Sequence, residues 1–257
     1  MADAMGKVYL VGAGPGDPEL LTLKALRLLK EAEVVLYDRL VSPAVLELVN
    51  PLAQLIYVGK EVGEQERVQE VIFQQLLQHV RAGRKVVRLK GGDPLVFGRG
   101  GEEWLYLAEE GIPVEVVPGV SSAVAVPALA GIPLTMRGLA GGFAVFSGHT
   151  QGGRLPDLTP YARVDTLVVL MGVRERANIA RELLRAGRRP EEPVAFIERG
   201  STPQERVVAS TLGEVAAGKV EVEPPAVWVI GQVVRMRARL MPLDGVAVKE
   251  PCPNFTG

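Results

Sequence analysis

Between Arg88 and Glu103 the chain reads RLKGGDPLVFGRGGEE, with Gly91, Gly92, Gly98, Gly100 and Gly101 wedged between two regular segments. KVVRLK before it has the pattern of a strand, and a helix is expected from near Glu102. Glycine lacks Cβ and tolerates positive φ, so such a turn at the C-terminal end of a strand lets backbone approach a ligand closely. A plain surface loop is the alternative. It fits less well, because the run joins two regular elements and has a counterpart near the N-terminus.

That counterpart is VYLVGAGPGDPELLTLKALRLLKEA. Val8 to Val11 reads as a short buried strand, and Gly12, Gly14 and Gly16 make the turn. Asp17-Pro18 is expected to start an amphipathic helix running to about Ala32, with Leu20, Leu23, Leu26 and Leu29 as its core face. The same segment, closed by Asp38 at the end of VVLYD, can be read as a dinucleotide fingerprint. Three features oppose that reading. Asp17 replaces the third fingerprint glycine, Pro15 and Pro18 lack an N–H, and a carboxylate beside a helix N-terminus repels an anion. The loop reads as built for a ligand without phosphates.

Strand and helix patterns alternate as far as Pro118: VVLYD, a short helix from Pro43 to Val49, QLIYV, a helix from Glu66 to Arg81, KVVRLK, a helix from Glu102 to Glu110, and VEVV. Such alternation predicts a mostly parallel, doubly wound sheet with helices on both faces, whose ligands lie outside the C-terminal strand ends. Both glycine loops, Asp38 and Gly59-Lys60 fall at that edge. Beyond Pro118 come a small-residue helix over Ser121–Ala130 and several closely spaced strands, which predict a mixed sheet. The expected fold class is therefore α/β, with two domains over 1–118 and 119–240 and an irregular tail over 241–257.

Composition bounds the function classes. With 47% hydrophobic and 23% charged residues over 257 positions, the chain reads as an ordinary globular protein. A net charge of −1 argues against general nucleic-acid binding. The single Cys252 excludes an internal disulfide framework, and two histidines, His79 and His149, argue against a His-rich metal site. No signal segment or membrane-spanning apolar stretch is read from the sequence, so the cytoplasm is the expected compartment.

The ordered set GAGPGDPELLTLKA, YDRLVS, VGK, RLKGGDPLVFGRGGEE, VPGVSSA, AGIPLTMRGLA, TLVVLMG and PPAVWVIGQVV resembles the tetrapyrrole methylase family over roughly residues 7 to 235. The resemblance implies a homodimer of two α/β domains that binds S-adenosylmethionine in the cleft between them and releases S-adenosylhomocysteine. It also implies methylation of uroporphyrinogen III at two pyrrole carbons, giving precorrin-2 for sirohaem and cobalamin synthesis. By the same resemblance Asp38 is the proton acceptor and Lys60 the proton donor. Pro15, Gly91, Gly92, Asp93, Val96, Ser121, Ser122, Met171 and Ala195 are implied to contact the cofactor.

The residues themselves leave plainer alternatives open. Asp38 could be a helix cap or a ribose-binding carboxylate, Lys60 a solvated surface group, Asp93 a turn cap, Ser121 an N-cap, and Met171 a core residue. Arg39, Arg99 and Arg137 suit the substrate's carboxylates, because a guanidinium forks onto a carboxylate. The chain departs from the family pattern at Glu61, where arginine is common, and at Met136, where histidine is common. Methylation of another precorrin, of a translation factor or of ribosomal RNA is a sibling reading. An NAD-dependent oxidoreductase and a non-catalytic ligand sensor are the readings from other classes.

Overall fold

The computed structural model describes residues 6–59, 65–149 and 155–241. The chain divides into two compact units, Met1–Ser121 and Ser122–Gly257.

The first unit holds a five-stranded parallel sheet of β1 (Val8–Gly12), β2 (Val34–Tyr37), β3 (Gln54–Tyr57), β4 (Val86–Lys90) and β5 (Val114–Val117). Spatial order is β3-β2-β4-β1-β5, so the two strands that precede the glycine loops lie side by side at its centre. Helices α1 (Leu23–Glu31), α2 (Pro43–Leu46), α3 (Gln65–Arg81) and α4 (Gly100–Glu109) complete it. Val11, Val35, Val87 and Leu89 pack with Ala25, Leu28 and Leu29 of α1. Val8, Leu10, Val34, Leu36 and Val86 pack with Ile72 and Leu76 of α3 and Leu107 of α4 on the opposite face. Both faces are covered, which is why these strands read as near-continuous apolar runs rather than alternating ones. Each large aliphatic side chain buried here contributes roughly 1.5–3 kcal/mol.

Two expectations about the first helix are corrected. Asp17 does not start it: its Oδ1 accepts from Glu19 N at 2.8 Å and caps only a 3-10 turn, Pro18–Leu20. α1 starts after Thr22, whose hydroxyl accepts from Ala25 N at 3.1 Å. Nor do the four leucines form its core face. Ala25, Leu28 and Leu29 are buried, whereas Leu23 is 86% exposed. A repeat of three precesses by about 60° per step around a helix of 3.6 residues per turn, so the leucines cannot all face one way.

The second unit carries the mixed sheet that the strand spacing predicts. Its strands β6 (Phe143–Ser147), β7 (Thr166–Leu170), β8 (Pro193–Glu198), β9 (Arg206–Thr211) and β10 (Ala226–Ile230) lie in the order β6-β7-β10-β8-β9. β6 is parallel to β7, and the remaining pairs are antiparallel. α6 (Arg176–Arg185) and α7 (Leu212–Ala216) cover one face, over a core that stacks Trp228 on Phe196 at 4.8 Å. α5 (Ser122–Leu129) covers the other with Ala123 and Val126 against Val168, Ala195 and Val229. Its small side chains let it lie close. A Cβ on Gly200 would stand 2.3 Å from Val126. α8 (Arg237–Leu240) ends the described chain.

Candidate functional site

The C-terminal edge of the parallel sheet gathers Asp38, Gly91, Gly92, Asp93 and the first glycine loop. Because β1 and β4 are neighbours, their loops meet: Gly92 N donates to Gly14 O at 2.7 Å and Gly14 N to Gly92 O at 3.2 Å. The exit of β5 runs against both. A Cβ on Gly12 would lie 2.6 Å from the Gly119 backbone, and one on Gly119 would lie 2.3 Å from Gly92 O. Three bare backbone segments thus converge where the sheet ends, and only glycine permits it. Gly14 and Gly92 also hold φ of 71° and 66°, a region side chains rarely enter.

Asp93 fastens this arrangement. Its Oδ1 accepts from Leu95 N at 2.8 Å and its Oδ2 from Gly119 N at 3.1 Å, tying the long glycine loop to the exit of β5. The turn-capping role considered for it is therefore present. Ser42 makes a second tie, donating its hydroxyl to Gly16 O at 2.6 Å while capping α2 at Val45 N. Beyond Asp93 the loop presents Leu95, Val96 and Phe97 to solvent, and Phe97 and Arg99 both adopt positive φ. Non-glycine residues held there cost energy and gather at functional sites.

After the first glycine loop stands a 3-10 turn rather than an α-helix. A dinucleotide site needs the fan of amides at a helix N-terminus facing the pyrophosphate. The helix expected to begin at Asp17 is replaced here by that turn, so the NAD reading loses the feature that would have held a pyrophosphate at this point.

Asp38 follows β2 and continues the face of Val34 and Leu36, since residues two apart on a strand share a side. Leu36 pairs with Arg88 in register, so Asp38 comes level with the end of β4. Its carboxylate accepts from Leu40 N at 3.2 Å and lies 3.6 Å from Arg88 Nη2. Beneath it is a charge cluster that the sequence reading passed over. Glu103 of α4 is 1% exposed, and its Oε1 receives Arg88 Nε at 3.2 Å, Lys90 Nζ at 3.0 Å and Gln69 Nε2 at 3.5 Å. Its Oε2 is buried without a hydrogen-bond partner. Burial pushes the Lys90 ammonium below its usual range, and Arg88 beside it pushes the same way. The signal was legible: in β4 the charged Arg88 and Lys90 alternate with Val87 and Leu89, and the covering helix supplies a carboxylate in its first turn.

Pro15, Gly91 and Ser121 are half-buried at the same sheet edge, and Arg39 and Arg99 are exposed, with Arg99 Nε 3.2 Å from Glu102. Lys60 lies outside the described residues. In the second unit, Ser122 opens α5, and Arg137 is exposed in the turn that Met136 and Ala140 close. Met171 follows β7 with φ of 56° and is 51% exposed, so its side chain is no core residue. Ala195 has no accessible surface. It packs beneath α5, and its strand partners are Val229 and Ala209. Among the described residues no group of three or more His, Cys, Asp or Glu is placed to hold a metal ion, and no helix is long and apolar enough to cross a membrane.

Comparison with known proteins agrees with this geometry. Residues 7–216 match the family described as Tetrapyrrole (Corrin/Porphyrin) Methylases. The uroporphyrinogen-III C-methyltransferase of Methanocaldococcus jannaschii is 48% identical over 236 residues, 90% of this chain and 98% of that protein. The siroheme synthase of Azotobacter vinelandii is 48% identical over 94% of this chain, which spans only 53% of that longer protein. The chain thus covers about half the length of the siroheme synthases it matches. The crystal structure of uroporphyrin-III C-methyl transferase from Thermus thermophilus complexed with S-adenyl homocysteine superposes with a TM-score of 0.81 at 63% identity, covering 90% of this chain and 99% of that one. A parallel sheet with paired glycine loops, a mixed sheet beside it in sequence, and a match through both units carry one conclusion: the chain belongs to the tetrapyrrole methylase family.

Proposed function

We propose that this chain transfers methyl groups from S-adenosylmethionine to two pyrrole carbons of uroporphyrinogen III, giving precorrin-2. The convergence of Gly12, Gly92 and Gly119 carries the reading, with the likeness to the Methanocaldococcus and Thermus methyltransferases beside it. The cradle is bare backbone, is followed by a 3-10 turn rather than an α-helix at Asp17, and is interrupted by Pro15. It therefore fits a neutral adenosine and a zwitterionic amino acid better than a pyrophosphate. When bound, S-adenosylmethionine supplies an electrophilic methyl group on a cationic sulfonium.

The chain's own residues then do the rest. Pro15, Gly91, Gly92, Asp93, Val96, Ser121, Ser122 and Met171 are assigned to the cofactor, with Ala195 packed beneath α5. In-line transfer needs the reacting atoms held in place, so most of the rate comes from positioning. Asp38 takes the proton that leaves the ring carbon, and Lys60 supplies a proton to the substrate. Arg39, Arg99 and Arg137 receive the carboxylates. In this reading the two domains divide near residue 118, the protein works as a cytoplasmic homodimer, and its product serves sirohaem or cobalamin synthesis.

Calorimetry with S-adenosylhomocysteine, with NAD as the comparison ligand, tests the cofactor half. Micromolar affinity for the former alone, about −8 kcal/mol, is expected. Binding of NAD without S-adenosylhomocysteine would sink the proposal.

A further inference from the structure

The charge cluster beneath the sheet edge is more than the fold requires. Of the charged groups within reach of one another there, Arg88 and Lys90 come from β4, Glu103 from α4 and Asp38 from the end of β2. Arg88 is the member that touches both carboxylates. Its Nε faces Glu103 Oε1 at 3.2 Å, its Nη2 faces Asp38 Oδ2 at 3.6 Å, and its Nη1 donates to Leu36 O at 3.4 Å and Leu89 O at 3.1 Å. A guanidinium is rigid and planar, so fixing Nε fixes where the other two nitrogens point. Glu103 is itself fixed by three donors crowding one oxygen, while its other oxygen stays buried and unpaired. A buried carboxylate left half satisfied is costly. Stability alone would be served as well by apolar residues of similar volume.

We infer that Glu103 is a positioning residue for the reaction: it orients Arg88, and Arg88 orients the Asp38 carboxylate toward the substrate carbon. This rests on the assignment of Asp38 as proton acceptor. The chain of contacts is Glu103 Oε1 to Arg88 Nε, then across one planar group to Asp38. Gln69 and Lys90 steady Glu103 from the side. Replacing Glu103 with glutamine keeps its size but removes the charge that holds the guanidinium, and Arg88 is then free to turn toward solvent or wholly onto Asp38.

The test is single-turnover methyl transfer from S-adenosylmethionine to uroporphyrinogen III by the full chain. The variants are Glu103→Gln, Asp38→Asn, the pair combined, and Arg88→Lys, each checked for folding by circular dichroism. Glu103→Gln is expected to lower the rate about 10- to 100-fold, as misplacing a reacting group does. The S-adenosylhomocysteine Kd should change by less than about twofold, because the cradle is untouched. In the Asp38→Asn background, Glu103→Gln should cost less than about twofold more, since coupled residues fail to add. Arg88→Lys keeps the buried charge but not the fork, and should repeat that pattern. It decides the matter if Glu103→Gln does not yield folded protein.

A wild-type rate in Glu103→Gln or in Arg88→Lys overturns the inference. So does an equal loss in both backgrounds, which would mark Glu103 as a purely structural group. Undiminished turnover in Asp38→Asn is a different failure: it removes Asp38 from the reaction and with it the residue that Glu103 is said to position.

Discussion

Among the described residues each unit buries one glutamate, and the two are satisfied in opposite ways. Glu198, at the end of β8 in the second unit, is 1% exposed, and both its oxygens are engaged. Arg206 Nε and Nη2 lie at 2.7 and 2.8 Å in a forked pair, and Glu223 N donates at 2.7 Å. Arg206 itself is 57% exposed, so only one member of that pair is taken from water. Glu103, in the first unit, shares a single oxygen among three donors, and both of its cationic partners are buried with it. The first arrangement is a clamp that joins β8 to β9. The second concentrates charge beneath a sheet edge where glycine loops converge. A buried ion pair is weak evidence of stabilisation, so the unbalanced one is the better pointer to function.

The largest expected effect tests that contrast directly. Glu103→Gln should cost about 3–5 kcal/mol in urea unfolding, because buried Lys90 loses its carboxylate partner and buried Arg88 is left with Asp38 alone. Glu198→Gln should cost about 1–2 kcal/mol, since Arg206 relaxes into solvent and a hydrogen-bond acceptor remains. Equal losses would dissolve the distinction between clamp and cluster.

A second comparison lies within the glycines of the first unit. Gly12→Ala puts its Cβ 2.6 Å from the Gly119 backbone, which has no soft side chain to yield, and should cost about 3 kcal/mol. Gly101→Ala, inside α4 with nothing within 4 Å, should instead stabilise by about 0.5–1 kcal/mol. Thermal unfolding of the two variants should therefore move in opposite directions.

The smallest effect is the pH response, and the two clusters should show it in different windows. Arg206 beside Glu198 holds its carboxyl below the ordinary 4.5, so the unfolded chain takes up that proton first. Stability from this pair is present above 4.5 and is lost as pH falls below it. Lys90 is held below its ordinary 10.5 by burial, then by Arg88. Again the unfolded chain binds the proton more tightly, so stability rises with pH up to 10.5. Urea unfolding across both windows should find the acid slope reduced by Glu198→Gln and the alkaline slope reduced by Lys90→Met.

The alternation of strands and helices was legible because it rests on local periodicity. Parallel strands covered on both faces read as apolar runs, and the second unit's closer strand spacing read as a mixed sheet. The start of α1 was misread because Asp17 and Thr22 both carry cap-forming side chains. Which one caps depends on Pro18 and on the short turn that closes between them. The leucine face failed for a related reason: spacing alone does not fix which side of a helix meets the sheet. Ala25, Leu28 and Leu29 settled that by packing.

The sequence by itself determined the fold class, the two glycine loops and the family, since these depend on the order of residues along the chain. It did not determine that Gly14 meets Gly92, that Asp93 reaches Gly119, or that Arg88 spans Glu103 and Asp38. Those contacts join segments between 15 and 78 positions apart. They exist because β4 is inserted between β1 and β2 in the sheet. Strand order is a global choice, made by burying both faces of the sheet at once, and no local pattern encodes it.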